Sequence, residues 1–217
     1  METFLVSLVS FLYVCTSKMK QKILNTSNEL FLTLGFKSVT MDDIANKIGI
    51  SKKTIYTFYN TKSDLVKACV MDVFDQVCLG IDHICSLNNN PIDELFKIKE
   101  FVLDQLKNEN TSPVFQLKKY YPTFYHELQK KQFEVMHDCV QENLRKGIKN
   151  GYFRKNINID FISRIYFSGV TAVKDIEFFP KGKNNMKGLM NDYLIYHIHS
   201  IATEKGLKKL KEIIQTN

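Results

Sequence analysis

The stretch TMDDIANKIGISKKTIYTFYNTK, residues 40–62, carries the strongest structural signal in this 217-residue chain. Thr40 and Asp43 have the spacing of a capping box, in which two residues at a helix start satisfy each other's backbone N–H groups. Gly49 falls where the first helix should end, because glycine reaches the left-handed backbone conformation at low cost. Ser51 can cap a second helix directly afterwards. The stretch therefore predicts two short helices joined by a tight turn.

Both predicted helices have one apolar face. The apolar positions at helical spacing are Met41, Ile44, Ala45 and Ile48 in the first helix, and Ile55 and Phe58 in the second. The second helix begins with Lys52 and Lys53, although the dipole of a helix favours acidic side chains at this end. Phosphate groups lying in front of the helix would explain two cations there. The pattern therefore indicates a surface that binds nucleic acid.

This segment resembles the helix-turn-helix of the TetR family of transcriptional regulators. The family's second helix typically reads vskgtlYhyFpsKedLl, and residues 50–66 of this chain read ISKKTIYTFYNTKSDLV. The resemblance is specific from about residue 19 to residue 66. Phe58 stands where the family often has a tyrosine whose hydroxyl contacts a phosphate. Tyr59 replaces a buried phenylalanine, so its hydroxyl requires a partner or a position at the rim of the core.

The resemblance implies that polar side chains of this motif contact DNA. The candidate residues are Thr40, Ser51, Lys52, Lys53, Thr54, Tyr56, Thr57 and Lys62. Thr54 and Tyr56 are expected at base edges or adjacent phosphates, while Thr40 and Lys62 are expected to hold the DNA backbone. A solvated helix surface is the alternative interpretation. The complete two-helix pattern favours DNA contact.

The remaining sequence has helical periodicity and no strand alternation longer than a few residues. The further helices are expected over residues 18–34, 62–87, 92–108, 112–119, 121–151, 160–178, 184–204 and 207–214. We predict an all-α fold with a three-helix DNA-binding domain at residues 19–66 and a larger helical domain at residues 67–217. In TetR-like proteins such a second domain binds an effector and forms the dimer.

The resemblance implies a small-molecule pocket and a symmetric dimer interface in the second domain. Candidate pocket residues are Phe115, Tyr121, Phe133 and Met136, although ordinary packing also explains each of them. Candidate interface residues on the two apolar segments 160–178 and 184–204 are Ile165, Ser168, Gly169, Ala172, Leu194, Ile198 and Ile201. In the family these segments pair with their copies in a four-helix bundle.

Residues 4–15, FLVSLVSFLYVC, form an apolar run at the N-terminus. The run is too short to cross a bilayer as a helix, which requires about 20 residues. The residues before it contain Glu2 and no Lys or Arg, unlike an export signal. Met19 and the residues after it resemble a start typical of the family. We therefore interpret residues 1–18 as an extension from a start codon assigned too far upstream, in preference to a real additional helix.

Composition excludes several other classes of protein. The net charge of +7 suits an anionic partner, although an AT-rich genome also produces many lysines. The five cysteines, at positions 15, 69, 78, 85 and 139, are odd in number and contain no C-x-x-C pair. They indicate reduced, mostly buried thiols in a cytoplasmic protein. Cys78 and Cys85 share a helix face, where packing is favoured over redox sensing.

Motifs of enzymes and metal sites are missing from the sequence. His197 and His199 would point about 200° apart on a helix, so they cannot converge on one ion. There is no P-loop, no H-E-x-x-H and no nucleophile elbow. We therefore predict that the protein is not an enzyme and requires no cofactor or metal.

The sequence thus predicts a DNA-binding transcriptional regulator in the cytoplasm, without membrane association. In detail we predict a repressor that responds to an unknown small-molecule effector and binds a palindromic double-stranded operator as a homodimer. The alternative is a helix-turn-helix protein that binds DNA without an effector and serves as a scaffold. A membrane-tethered or exported protein is a third possibility, and it requires residues 1–18 to be translated and functional.

Overall fold

The computed structural model describes residues 2–106, 113–175, 177–180 and 185–216. Within these residues the fold is all-α, as predicted, and the only β-type pairing is an isolated antiparallel bridge between Phe153 and Ala202. The helices are α1 (Glu2–Leu34), α2 (Met41–Ile48), α3 (Lys52–Tyr56), α4 (Lys62–Ser86), α5 (Pro91–Gln105), α6 (Pro113–Tyr120), α7 (Pro122–Lys149), α8 (Ile159–Ala172), α9 (Met186–Ile201) and α10 (Glu204–Thr216).

The chain forms two compact units. The first unit comprises Met1–Gln76 and Asn110–Gln116, and the second comprises Val77–Glu109 and Leu117–Asn217. The division falls inside α4, at Gln76. The sequence placed the boundary within this helix, after residue 66, or at the break that follows the helix. Helix α4 therefore contributes residues to both units.

The first unit is built around the apolar faces of α1, α2, α3 and the start of α4. Its fully buried side chains include Ile23, Phe31, Ile44, Ile55 and Leu65. These residues fall at the helical spacing read from the sequence, so burial of the matching stripes explains why the short helices α2 and α3 are stable.

Helix α1 begins at Glu2, and the predicted start at residue 18 is wrong. No proline or glycine interrupts residues 2–34, so nothing in the sequence stops the helix from continuing towards the N-terminus. Gly35, with φ of +83°, ends the helix, and its N–H donates to the carbonyl of Phe31 at 2.9 Å. Of the helices in the described residues, none is long and apolar enough to cross a membrane.

The second unit has its own core, formed by α5, α7, α8, α9 and α10. Its centre includes Ile92, Leu144, Phe153, Leu194, Ile198, Ile201 and Leu210, all almost fully buried. Glu94 is also buried there, and its carboxylate accepts hydrogen bonds from Lys146 Nζ at 2.8 Å and Asn143 Nδ2 at 2.7 Å. This pairing compensates for removing the charge from water.

Short backbone contacts connect the end of α7 with the start of α10. The Arg154 N–H donates to the carbonyl of Ile201 at 2.9 Å, and the Thr203 N–H donates to the carbonyl of Tyr152 at 3.0 Å. A Cβ atom on Gly206 would lie 2.2 Å from the Tyr152 carbonyl oxygen, so only glycine permits this close approach. Helix α10 is therefore fixed at its first turn.

Candidate nucleic-acid interface

The capping box predicted at the start of α2 is present. The Thr40 N–H donates to Asp43 Oδ2 at 2.8 Å, and the Asp43 N–H donates to Thr40 Oγ1 at 3.1 Å. The Thr40 hydroxyl also donates to Asp43 Oδ2, at 2.7 Å. The two hydrogen bonds that the Thr40 N–H and hydroxyl donate to this carboxylate lower its pKa, since both stabilise its ionised form. The box therefore fixes the position at which the chain enters α2.

The tight turn after α2 depends on Gly49. Its φ of 79° lies in the left-handed region, and its N–H donates to the carbonyl of Ala45 at 2.9 Å. The Ile50 N–H donates to the same carbonyl at 3.0 Å. Ser51 then caps α3, where its Oγ accepts from the Thr54 N–H at 3.1 Å. The turn thus sets the direction of α3 within three residues of the end of α2.

Helix α3 presents three exposed side chains next to one another. Ile55 is fully buried and anchors the helix, while Lys53, Tyr56 and Thr57 are exposed and lie at i, i+3 and i+4 spacing. Thr54, predicted to reach base edges, is only half-exposed and shares a hydrogen bond with Ser51 Oγ at 2.8 Å. Ser51 and Thr54 therefore shape the first turn, and the other three form the accessible face.

Two lysines of the motif are already paired within the chain. Lys52 Nζ lies 2.8 Å from Asp42 Oδ2, and this hydrogen bond raises the pKa of the lysine. Lys47 Nζ lies 3.1 Å from Glu29 Oε1. Helical spacing predicts side-chain pairs only three or four positions apart, whereas these partners are 10 and 18 positions apart, so the sequence predicts neither ion pair. Both lysines of the first α3 turn are exposed, and Lys52 is the one that the structure shows in an ion pair.

Lys62 occupies the first residue of α4, behind a second capping box. The Thr61 N–H donates to Asp64 Oδ2 at 3.0 Å, and the Asp64 N–H donates to Thr61 Oγ1 at 3.1 Å. Burial lowers the pKa of the Lys62 ammonium, while the charge of Asp43 acts in the opposite direction. The capped starts of α2 and α4 thus lie near each other, and each holds one of the residues expected to contact phosphates.

The expectation for Tyr59 is not met. Its side chain is 6% exposed, and its hydroxyl has no hydrogen-bond partner among the described residues. Burial raises the pKa of this phenol to about 12. A buried hydroxyl without a partner is destabilising, so tyrosine is less well suited to this position than phenylalanine.

The four candidate pocket residues have separate surroundings. Phe115 belongs to the first unit and is 42% exposed, whereas Tyr121, Phe133 and Met136 belong to the second. Phe133 packs edge-to-face on Phe167, with ring centroids 5.3 Å apart, and Met136 packs against the core of the second unit. Ordinary packing therefore explains Phe133 and Met136.

The candidate interface residues divide into two groups. Leu194, Ile198 and Ile201 are at most 2% exposed in the single chain, so their assignment to a contact with another copy is wrong. Gly169 makes room for the ring of Tyr193 in the same chain, since a Cβ there would lie 2.2 Å from it.

A different set of residues faces solvent on α8. Ile165, Ser168 and Ala172, three of the candidate interface residues, are exposed, and Phe161, which is not among those candidates, is 56% exposed on the same face. The period of 3 to 4 residues could have identified Phe161, because it precedes Ile165 by four positions. On α9 the exposed aromatic residue is Tyr196.

The described residues contain no group of three or more His, Cys, Asp or Glu side chains that could hold a metal ion. The geometry in the first unit is that of a helix-turn-helix, with two capped helices, a left-handed glycine turn and an exposed polar face on the second helix. This arrangement defines a class of DNA-binding regulators.

Comparison with known proteins relates the motif to a family of regulators. Residues 23–69 match the family model of bacterial regulatory proteins, tetR family. The HTH-type transcriptional repressor KstR2 of Mycolicibacterium smegmatis is 22% identical over 203 residues, which cover 87% of this chain and 93% of the relative. The HTH-type transcriptional regulator YvaF of Bacillus subtilis is 28% identical over 170 residues, covering 74% and 83%.

A solved structure shares the fold over most of the chain. It is a transcriptional regulator from Saccharomonospora viridis in complex with choline, with a TM-score of 0.69 at 18% identity, covering 87% of this chain and 100% of that one. Residues 23–69 thus have the DNA-binding motif of the TetR family of transcriptional regulators, and the protein is a DNA-binding regulator of transcription.

Proposed function

We propose that this protein is a ligand-responsive repressor that binds a palindromic operator as a homodimer. The observation that carries the proposal is the exposed face of α3, formed by Lys53, Tyr56 and Thr57 beside the capped starts of α2 and α4. A short helix with one buried anchor and an exposed polar face suits the major groove of DNA. Such a repressor acts in the cytoplasm, where bacterial DNA lies.

Different residues of the motif have different roles in this proposal. Tyr56 and Thr57 contact base edges, and Lys53 contacts either a guanine or a neighbouring phosphate. Thr40 and Lys62 contact phosphates at the capped helix starts, which sets the position of α3. Lys52 reaches a phosphate only by leaving Asp42, so its contribution to affinity is small. Ser51 and Thr54 support the turn.

The proposed dimer uses the exposed face of α8. Phe161 and Ile165 supply apolar area, while Ser168 and Ala172 are small enough for a second helix to approach closely. A two-fold symmetric contact brings the same patch of both copies together. Two recognition helices about 34–36 Å apart would then meet successive major-groove faces of a palindromic site.

The second unit is proposed to bind the effector. The relative from Saccharomonospora viridis holds choline, which supports a small-molecule site in a protein of this fold. Helix α4 contributes to both units, so it is the segment through which a ligand would act on the DNA-binding motif. Coupling of this kind is typically worth 1–3 kcal/mol.

The DNA-binding proposal is tested with purified protein and an operator selected from random duplexes. We expect Tyr56→Ala combined with Lys53→Ala to reduce operator affinity at least about tenfold, because the base-edge contact of Tyr56 and the contact of Lys53 with a guanine or phosphate are both lost. Lys62→Ala should weaken binding to all sequences and reduce the slope of log affinity against log salt by about one. Fluorescence anisotropy at several salt concentrations measures both effects.

Lys208→Ala is the matched control. Lys208 is exposed on α10, so its removal changes the net charge equally but leaves α3 intact. The control should bind within about twofold of the unmodified protein at constant salt. Equal affinities for the control and the α3 variants would show that this face does not contact DNA. Binding that no ligand alters would favour the effector-independent scaffold.

A further inference from the structure

Two cysteine side chains of the second unit lie in contact with each other. Cys85 is in the last turn of α4, and Cys139 is in the middle of α7. Their Sγ atoms are 4.0 Å apart, although the residues are separated by 54 positions in sequence. Sequence spacing suggested Cys78 as the neighbour of Cys85, whereas the packing of α4 on α7 provides Cys139. Two thiols this close together can be oxidised to a disulfide within the chain, a reaction that neither cysteine can undergo alone.

We propose that Cys85 and Cys139 form a reversible disulfide within one chain, and that this pair is a redox switch in the second unit. A disulfide has an S–S length of about 2.05 Å, so the two sulfur atoms must approach by about 2 Å. Rotation of the two side chains and a small shift of helices supply movements of this size. Both residues are half-buried, which leaves a path for a small oxidant.

The surroundings of the pair make its oxidation slow. Burial raises the pKa of both thiols, more strongly for Cys139 than for Cys85. The charge of Glu94 acts in the same direction, and the ammonium of Lys146 partly offsets it at Cys85. Because the thiolate is the reactive form, only a strong or sustained oxidant would oxidise the pair. Cytoplasmic disulfides are typically of this transient, regulatory kind.

The reaction with a peroxide can be written in two balanced steps. The Cys85 thiolate attacks one oxygen of hydrogen peroxide, so that an S–O bond forms, the O–O bond breaks, and the released hydroxide takes a proton to become water. The sulfur of Cys139 then attacks the Cys85 sulfenic acid. The S–S bond forms, the S–O bond breaks, and a second water leaves with the proton of Cys139. A dithiol reductant returns both thiols.

The disulfide would have a mechanical consequence for α4. It attaches the last turn of this helix covalently to α7 and closes a long loop. Cross-linking of this kind stabilises the folded state, mainly by restricting the unfolded chain. Since α4 begins at the DNA-binding motif, the switch would also act on DNA affinity, and this last consequence alone rests on the proposed function.

The test uses the full chain treated with hydrogen peroxide and then alkylated. Before alkylation we expect the intact mass to fall by two hydrogen atoms, and after alkylation of the remaining thiols we expect peptide mapping to recover a cross-link between Cys85 and Cys139. Dithiothreitol should reverse both changes. Cys85→Ser and Cys139→Ser should each abolish the cross-link, whereas the matched control Cys78→Ser on the same helix should retain it. Oxidation should raise the melting temperature by at least about 5 °C in the unmodified protein and the control only.

Other outcomes would overturn the proposal. These are a disulfide between two chains, a sulfinic acid at Cys85, or an unchanged mass at peroxide concentrations that oxidise free glutathione completely. Equal melting temperatures of the reduced variants and the unmodified protein show that the substitutions leave the fold intact. The cross-link is detected without DNA, so its absence leaves the proposed function standing. Failure of the untreated protein to bind any duplex would overturn only the proposed function.

Discussion

The charges of single residues in this protein depend on partners that are distant in sequence. Lys52 and Lys53 are adjacent in the chain, yet Lys52 pairs with Asp42 and Lys53 is exposed. An exposed ion pair contributes little to stability, but it lowers the charge that a lysine offers to a phosphate. The two lysines should therefore differ in their contribution to DNA affinity.

Tyr59→Phe should stabilise the protein. The substitution removes a buried hydroxyl that has no partner among the described residues and leaves the ring in place. The expected gain in the free energy of unfolding is about 1 kcal/mol. Urea denaturation of both proteins at the same pH measures it. A loss of stability would mean that the hydroxyl has a partner, such as a buried water molecule.

His197 should make stability depend on pH. It is buried against Tyr166 and Tyr193, with ring centroids 4.8 and 6.1 Å away, and burial lowers its pKa to about 4. Below a pH of about 6.5 the unfolded chain binds a proton at this residue, whereas the folded protein does not until about pH 4. The free energy of unfolding therefore falls over this interval, by at most about 1.4 kcal/mol per pH unit.

His197→Phe isolates this effect. The variant has no group to protonate at this position, so its stability should decline less steeply between pH 6.5 and pH 4. Above pH 6.5 the histidine is neutral in both states and the two proteins should show parallel pH dependence. Identical slopes over the acidic interval would show that His197 is accessible to protons in the folded protein.

At the level of helices, the sequence predicts structures formed by neighbouring residues, but it does not predict contacts between residues far apart in the chain. The capping boxes at Thr40 and Thr61 and the glycine turn at Gly49 involve residues within four positions, so the sequence alone specifies them. The predicted end of α8 at residue 178 is wrong, since α8 ends at Ala172. No proline or glycine marks that end in the sequence.

The candidate sites show the same distinction. The exposed face of α3 follows from helical spacing, since Ile55 must be buried. Leu194 and Ile198 fit a dimer interface equally well by sequence, because an apolar stripe can cover either its own core or a second copy. Only the packing of α9 in the folded chain decides whether this apolar stripe covers the core or a second copy. The contact between Cys85 and Cys139 likewise requires the packing of α4 on α7.

Shortening α1 should have little effect on stability. Residues 16–22 are mostly exposed, and among the side chains of α1 that the structure describes, from residue 16 onward, the first buried one is Ile23. A chain that begins at Met19 should therefore fold and bind DNA, and should melt within about 2 °C of the longer chain. Differential scanning calorimetry of both forms measures this. A clearly lower melting temperature would show that residues 1–18 pack on the first unit.

At the level of the whole molecule, the exposed apolar face of α8 is the feature that points to assembly. Phe161 and Ile165 remain exposed, whereas Tyr166 on the opposite side of this helix is buried in its own chain. Contiguous exposed apolar residues in a folded protein typically mark an interaction surface. Their neighbours Ser168 and Ala172 are small, which suits contact between two helices.

Phe161→Glu should convert the protein from a dimer to a monomer. A charge placed on this face by both copies would be buried without a partner, which is strongly unfavourable. Sedimentation velocity at micromolar concentration measures the assembly state. Leu207→Glu is the control, since Leu207 is also exposed but belongs to α10. Monomeric behaviour of the unmodified protein would contradict the proposed interface.

The backbone hydrogen bonds between the end of α7 and the start of α10 also allow hydrogen exchange to measure local opening of the second unit. The amide hydrogens of Arg154 and Thr203 are held by the carbonyls of Ile201 and Tyr152. They can exchange with deuterium only when α10 separates from the residues after α7. Their exchange rates therefore report how often the second unit opens at its C-terminal end, and slower exchange of both amides on adding a small molecule would identify that molecule as a ligand of this unit.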